Sequence, residues 1–198
     1  EVNAMLSPVF GSKPFKIHDN VFEFNNIKKN YVTHVFEAQI NTGKMMASLL
    51  KLAQKKNIII LNSTEVDGFE DDGDTVAVRT DVAEFNTNCL CIATNGFAAQ
   101  LIDEPVKPAR AQVLITKPIE NLHIKGTFHL DEGYYYFRNI DNRILLGGGR
   151  NLDFKREETT IFGQTDLIQN QLETLLKETI LPNKSIEIDR RWSGVMGI

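Results

Sequence analysis

Apolar positions recur at helical spacing in two stretches of this chain and at strand spacing in several others. From Asn41 or Thr42, either of which can cap a helix, Met46, Leu49, Leu50 and Ala53 follow three and four residues apart. Lys44, Lys51, Lys55 and Lys56 fall mostly on the opposite face, and Asn57 is a plausible stop. The unbroken run Ile58-Ile59-Ile60-Leu61 then predicts a strand buried on both faces. Val66 to Phe69 and Thr75 to Thr80 flank the acidic tip Glu70-Asp71-Asp72-Gly73-Asp74 and predict a hairpin. Cys89 to Thr94 predicts another apolar strand, ending at Asn95-Gly96.

Pro105, Pro108 and Pro118 punctuate the next stretch of chain, and a domain crossing is expected near residues 103 to 110. Beyond it, Gln112 to Thr116, Thr127 to Leu130, Gly133 to Arg138 and Arg143 to Gly148 read as strands, with Asp141-Asn142 as a hairpin turn. A second helix is predicted from about Thr165 to Thr179, with Ile168, Leu172, Leu175 and Leu176 on one face. Pro182 ends it, and Ile186, Ile188, Arg190 and Trp192 alternate in a last strand. Residues 1 to 36 have weak periodicity and read as loops with one or two short elements.

Composition narrows the classes. The 198 residues carry a net charge of −4, which argues against a basic grip on nucleic acid. No apolar run approaches the roughly 18 residues of a membrane-spanning helix. The only cysteines, Cys89 and Cys91, are too close along a strand for an unstrained disulfide, which points to a reducing compartment, the cytoplasm. The chain opens on Glu1 and closes within an apolar run, so a piece of a longer protein is expected.

Several chemistries lack their residues. His18, His34, His123 and His129 are scattered, Gly73 is misplaced for a calcium loop, and a C-x-C in an apolar strand reads as inert core, so no metal is expected. There is no G-x-S-x-G. Gly147-Gly148-Gly149 lacks the strand–loop–helix context of a phosphate cradle, and a strand edge packed close to another backbone is the better reading. Tyr134, Tyr136 and Arg138 share one face of their predicted strand, with Tyr135 and Phe137 on the other. Two readings fit that face: a pocket for a flat or polar ligand, or an aromatic strand covering a core with Arg138 snorkelling to water. Pattern alone favours the second.

Taken together, several segments resemble the FAD-dependent oxidoreductases of the D-amino-acid oxidase superfamily, in particular the glycine oxidase, sarcosine oxidase and gamma-glutamylputrescine oxidase branch. They are Ala38-Gln39-Ile40-Asn41-Thr42-Gly43-Lys44, Ser63-Thr64-Glu65-Val66, Cys91-Ile92-Ala93-Thr94-Asn95-Gly96 and Pro108-Ala109-Arg110-Ala111-Gln112. Tyr136-Phe137-Arg138 through Arg143-Ile144-Leu145-Leu146-Gly147-Gly148 and Arg191-Trp192-Ser193-Gly194-Val195-Met196-Gly197 complete the set. The family's first G-x-G-x-x-G, which holds the FAD pyrophosphate, has no counterpart here, nor has its second glycine-rich flavin segment.

The resemblance implies an α+β fold, with an incomplete FAD-binding domain and an antiparallel-sheet substrate domain with flanking helices. The expected divisions are 1–36 as a loop-rich boundary segment, 37–103 as part of the FAD domain, 104–190 as the substrate domain and 191–198 as a truncated return. It also implies FAD as cofactor, a small amine or amino-acid substrate, and oxidation of a C–N bond to an imine by hydride transfer to flavin, with O₂ as the usual acceptor. By resemblance Val66 meets the adenine end of FAD, Thr94, Asn95 and Gly96 form the strand-end turn beside the cofactor, and Tyr134 lines the amine pocket. Met196 stands where amino-acid-oxidising members often carry a carboxylate-clamping arginine, which favours the amine-oxidising type. Tyr136, Arg138 or Arg150 would then bind a polar substrate tail, Arg150 being equally readable as a solvated strand-end charge. No catalytic side chain is assigned, and the chain alone is expected to bind FAD poorly and to be inactive. A non-catalytic ligand-binding or interaction module is the alternative, and a dehydrogenase passing electrons to a partner rather than to O₂ fits the same residues.

Overall fold

The computed structural model describes residues 1–198 and has the mixed helix and antiparallel-sheet architecture expected from the sequence. Two compact units are present. The first comprises residues 1–40, 111–154 and 162–194, and the second residues 41–110, 155–161 and 195–198.

In the first unit the central feature is a five-stranded sheet in the order β10-β6-β9-β8-β7. Its strands are β6 (Pro108–Thr116), β7 (Thr127–Leu130), β8 (Tyr135–Ile140), β9 (Arg143–Gly148) and β10 (Ile188–Gly197). The β8–β9 hairpin pairs Ile140 with Arg143 across Asp141 and Asn142, both of which adopt the positive φ that such a turn requires. Alternation on β8 sends Tyr135 and Phe137 into the core, where they meet Leu114 of β6, with Ile144 and Leu146 of β9. Helix α3 (Asp166–Thr174) covers that face through Ile168 and Leu172, and a π turn over Leu175–Ile180 adds Leu176 and Ile180. Each such side chain, removed from water, contributes roughly 1.5–3 kcal/mol.

Polar side chains are built into this packing. Buried Gln112 donates to Thr165 Oγ1 (3.0 Å) and accepts from the Thr165 amide (2.9 Å) and Gln169 Nε2 (3.2 Å). Arg191 extends the network, donating to Gln169 Oε1 (2.6 Å) and pairing with Glu173. Gln112 and Arg191, from two of the family-like segments, thus have structural work in fixing α3 on the sheet.

The first forty residues are more ordered than their weak periodicity predicts. They form helix α1 (Val2–Phe10) and a hairpin of β1 (Phe15–Asp19) and β2 (Asn30–His34). The Asn3 side-chain amide ties them together, donating to the Phe15 carbonyl and accepting its N–H, both at 2.9 Å. Such a paired side-chain clamp leaves no periodic signal in the sequence.

The second unit opens with helix α2 (Thr42–Lys55), whose N-cap Asn41 accepts from the Lys44 amide at 3.0 Å, as the sequence predicts. A three-stranded antiparallel sheet follows: β3 (Val66–Asp71), β4 (Val76–Thr80) and β5 (Glu84–Thr87). Two expectations are corrected here. Ile58–Leu61 and Cys89–Thr94 form no strands, and Ile58 to Leu61 are exposed, as are both cysteine thiols. A strand exists only through its ladder partners, and neither run pairs with another segment of this chain. The apolar face of α2, with Met46, Leu49 and Leu50, is likewise open to solvent. No helix is long and apolar enough to cross a membrane.

Candidate functional site

The residues that the sequence nominates fall into both units. In the second, Thr94 precedes a 3-10 turn over Asn95–Gln100. Asn95 takes a positive φ of 52°, and its Oδ1 accepts from the Gly197 amide at 2.7 Å. Gly96 is buried, and a Cβ there would lie 2.6 Å from the Met196 carbonyl oxygen and 2.7 Å from Val195 Cγ1. The fold therefore brings Thr94, Asn95 and Gly96 against Val195, Met196 and Gly197, a contact that only glycine at position 96 permits. Met196 itself is exposed. Val66 belongs to a separate element, opposite Thr80 at the end of the β3–β4 ladder. Thr94 Oγ1 is buried without a hydrogen-bond partner, an unmet requirement for a polar neighbour.

The same unit contains an ion pair that the sequence does not announce. The Arg110 guanidinium donates through Nε to Glu157 Oε2 (2.8 Å) and through a terminal nitrogen to Glu157 Oε1 (2.7 Å). Glu157 is fully buried and Arg110 nearly so, while the Arg110 amide donates to the Glu157 carbonyl (2.8 Å). The hydrogen bond to Glu157 holds the Arg110 pKa above its ordinary value. Separated by more than forty residues in sequence, the partners have no motif that links them.

In the first unit Tyr134 ends a 3-10 turn and precedes β8, so its direction comes from that turn rather than from strand alternation. Its ring meets Phe154 edge-on at 6.1 Å between centroids. Tyr136 pairs with Gly147 across the β8–β9 ladder. A Cβ at Gly147 would stand 2.6 Å from the Tyr136 Cζ and Oη, so the glycine leaves room for the phenol to lie across β9. Burial pushes the Tyr136 phenol pKa up, further above neutral pH than that of an exposed phenol.

Arg138 donates to the Ile40 carbonyl at 2.6 Å, while its Nε is buried and unpartnered. Gln39 adds bonds to Thr127 (3.2 Å) and Asn139 (3.4 Å), so the segment before α2 is tethered to β7 and β8. Gly148 and Gly149 turn the chain at φ of 120° and 82°, and the Gly149 amide donates to the Tyr134 carbonyl at 2.9 Å. This is the close backbone approach that the glycine run predicts. It delivers Arg150 onto Phe154, with Cζ 4.7 Å from the ring centroid. Nothing in the sequence singles out Phe154, because a lone aromatic in a polar loop carries no signal.

Residues 24–198 match the family described as FAD dependent oxidoreductase (DAO). The chain belongs to the DAO family of FAD-dependent oxidoreductases. The solved structures similar to this DAO chain include L-proline dehydrogenase from P. horikoshii (TM-score 0.75, 19% identity, 97% of this chain and 55% of that one). Glycine oxidase from Geobacillus kaustophilus is also similar (TM-score 0.78, 15% identity, 98% and 53%). So is NikD, an amino acid oxidase essential for nikkomycin biosynthesis (TM-score 0.75, 11% identity, 98% and 55%). At these identities the likeness is one of fold. The DAO chain spans about half the length of these structures. Comparison with curated protein sequences gives no significant match.

The residues present fit a polar cofactor at one place. The orphaned Thr94 hydroxyl sits at the start of the 3-10 turn over Asn95–Gln100. The sequence has no glycine-rich phosphate cradle to accompany it.

Proposed function

We propose that the whole protein oxidises the C–N bond of an amine or amino acid to an imine. Bound FAD would supply the two-electron hydride acceptor, with O₂ then taking the electrons as peroxide. The family match over residues 24–198 is the observation that carries this reading. The similar structures, named as a proline dehydrogenase, a glycine oxidase and an amino acid oxidase, support it. The divisions proposed for the chain are 1–36 as a boundary segment, 37–103 as part of the FAD domain, 104–190 as the substrate domain and 191–198 as a return to the FAD domain. The cytoplasm is the proposed location, since both cysteines are free thiols.

On this reading Val66, Thr94, Asn95 and Gly96 hold the cofactor, and Tyr134, Tyr136, Arg138, Arg150 and Met196 belong to the substrate side. Thr94 offers its unpartnered hydroxyl to a polar edge of the cofactor. Tyr136, a neutral phenol whose pKa burial raises further, donates a hydrogen bond rather than accepting a proton. Arg138 holds the Ile40 carbonyl, and its buried Nε is without a partner. A thioether at position 196 cannot clamp a carboxylate, which favours an amine lacking an α-carboxylate.

The test is a panel of primary amines, polyamines and amino acids offered to the whole protein, with peroxide release and dye reduction read in parallel. Peroxide or dye turnover with any of them supports the reading; flavin that no member of the panel reduces defeats it. Tyr136→Phe sharpens the test. Because the hydroxyl has no hydrogen-bond partner within the chain, stability should change by less than about 0.5 kcal/mol while kcat/KM falls. An unchanged kcat/KM removes Tyr136 from the substrate side.

A further inference from the structure

The arginines of this chain are mostly committed. Arg79, Arg110, Arg143, Arg190 and Arg191 each lie against a carboxylate, and Arg138 donates to the Ile40 carbonyl. Arg150 differs. No carboxylate of the chain lies within ion-pair distance of it, and its guanidinium rests on the Phe154 ring. The ring in turn contacts Tyr134, and all three residues are at least partly open to solvent.

The backbone that sets this cluster is specific. Gly148 and Gly149 hold positive φ, Gly149 is capped by the Tyr134 carbonyl, and Arg150 follows at once. A guanidinium held over an aromatic ring loses little hydrogen-bonding capacity, since its N–H fork lies in its own plane and remains directed outward. Ring contact restricts its rotamers, which lowers the entropy lost when a ligand binds. A planar donor pair, pre-oriented and lacking a counterion, matches a carboxylate in bidentate geometry.

We propose that Arg150, steadied by Phe154 and flanked by Tyr134, is a carboxylate-binding residue that selects an amine bearing an acidic group away from its reacting carbon. The proposal rests on the oxidoreductase reading for its substrate, and it also makes a binding claim that stands without turnover. Arg150 supplies the contact for an anionic group away from the reacting carbon, and Tyr134 lines the path beside it. An ω-amino acid therefore fits this site better than a plain alkylamine or an α-amino acid of equal length.

Two measurements test it. In the whole flavoprotein, steady-state kinetics compare 4-aminobutyrate, butylamine and 2-aminobutyrate for the native protein, Arg150→Met and Arg150→Lys. The expected result is a KM for 4-aminobutyrate raised about 10–100-fold in R150M with kcat within about twofold, partial rescue in R150K, and no change for butylamine. Equal changes for 4-aminobutyrate and butylamine, or none for either, overturn the assignment, as does a native preference for 2-aminobutyrate. In the whole protein, glutarate should shift the Arg150 Nε–Hε resonance and leave that of Arg79, which is paired with Glu70, in place. A shift without turnover of any amine retains the carboxylate site and rejects the oxidoreductase reading. Absence of a shift at millimolar glutarate rejects the site, whatever the enzyme oxidises.

Discussion

Glu157→Ala is expected to destabilise the second unit by about 3–5 kcal/mol. The reason is asymmetry between making and breaking a buried pair. Glu157 is fully buried and Arg110 nearly so, and two short hydrogen bonds join them. Removing the carboxylate leaves a desolvated guanidinium whose remaining acceptor, the Ile161 carbonyl at 3.3 Å, cannot neutralise it. The pair also anchors residues 155–161, which return to this unit after a long excursion. The double replacement Arg110→Met with Glu157→Leu should cost far less than the single one, since it removes both charges and keeps the volume. Tyrosine and tryptophan occur only in the first unit, so fluorescence would miss the effect. Hydrogen exchange at the Arg110 amide, bonded to the Glu157 carbonyl, reports it directly. If E157A leaves that amide as protected as before, the pair is dispensable.

The second large effect is expected at Gly148. Its φ of 120° is a conformation that side chains rarely adopt, and an added Cβ would fall on the Tyr134 carbonyl oxygen and 2.8 Å from Tyr135 Cα. Both obstacles are backbone, so no rotamer change relieves them. Gly148→Ala should therefore cost about 2–4 kcal/mol of stability and disturb the turn that carries Arg150. Gly133→Ala is the matched control: its φ is also positive at 92°, yet nothing lies near the added atom, so strain alone remains. Thermal unfolding of the two variants separates conformational strain from collision. Equal losses would mean that the contact with Tyr134 has no weight.

Elements whose cause is local are legible in the sequence. The Asn41 cap and the apolar spacing place α2, and Asp141-Asn142 with flanking alternation places the β8–β9 hairpin. The same alternation places Tyr135 and Phe137 in the core. Elements whose cause is a partner are not legible. Ile58–Leu61 has every residue of a buried strand, yet this chain supplies no ladder for it, and it lies exposed. Cys89 and Cys91 fail as core for the same reason. The site divides in the same way. The glycine turn before Arg150 is readable as a close backbone approach, because three glycines have few other uses there. Its seat on Phe154 and the burial of Glu157 against Arg110 depend on tertiary meetings that no spacing encodes.

The exposed runs bear on the cofactor as well. Thr94 and Gly96 follow directly from Cys89–Ala93, so the segment nominated to hold FAD begins on a stretch without strand partners in this chain. A cofactor turn is only as well placed as the strand that carries it. The sequence also lacks the glycine-rich turn whose amides would meet the pyrophosphate. Together these lead to weak FAD binding by the 198 residues alone and firm binding by the whole protein.

Visible flavin absorbance, recorded on the purified whole protein and on the 198-residue chain after incubation with FAD and removal of the excess, tests the flavoenzyme reading most directly. The predicted result is a yellow whole protein with one flavin per chain and a colourless 198-residue chain. A whole protein that stays colourless and takes up no added FAD would contradict it.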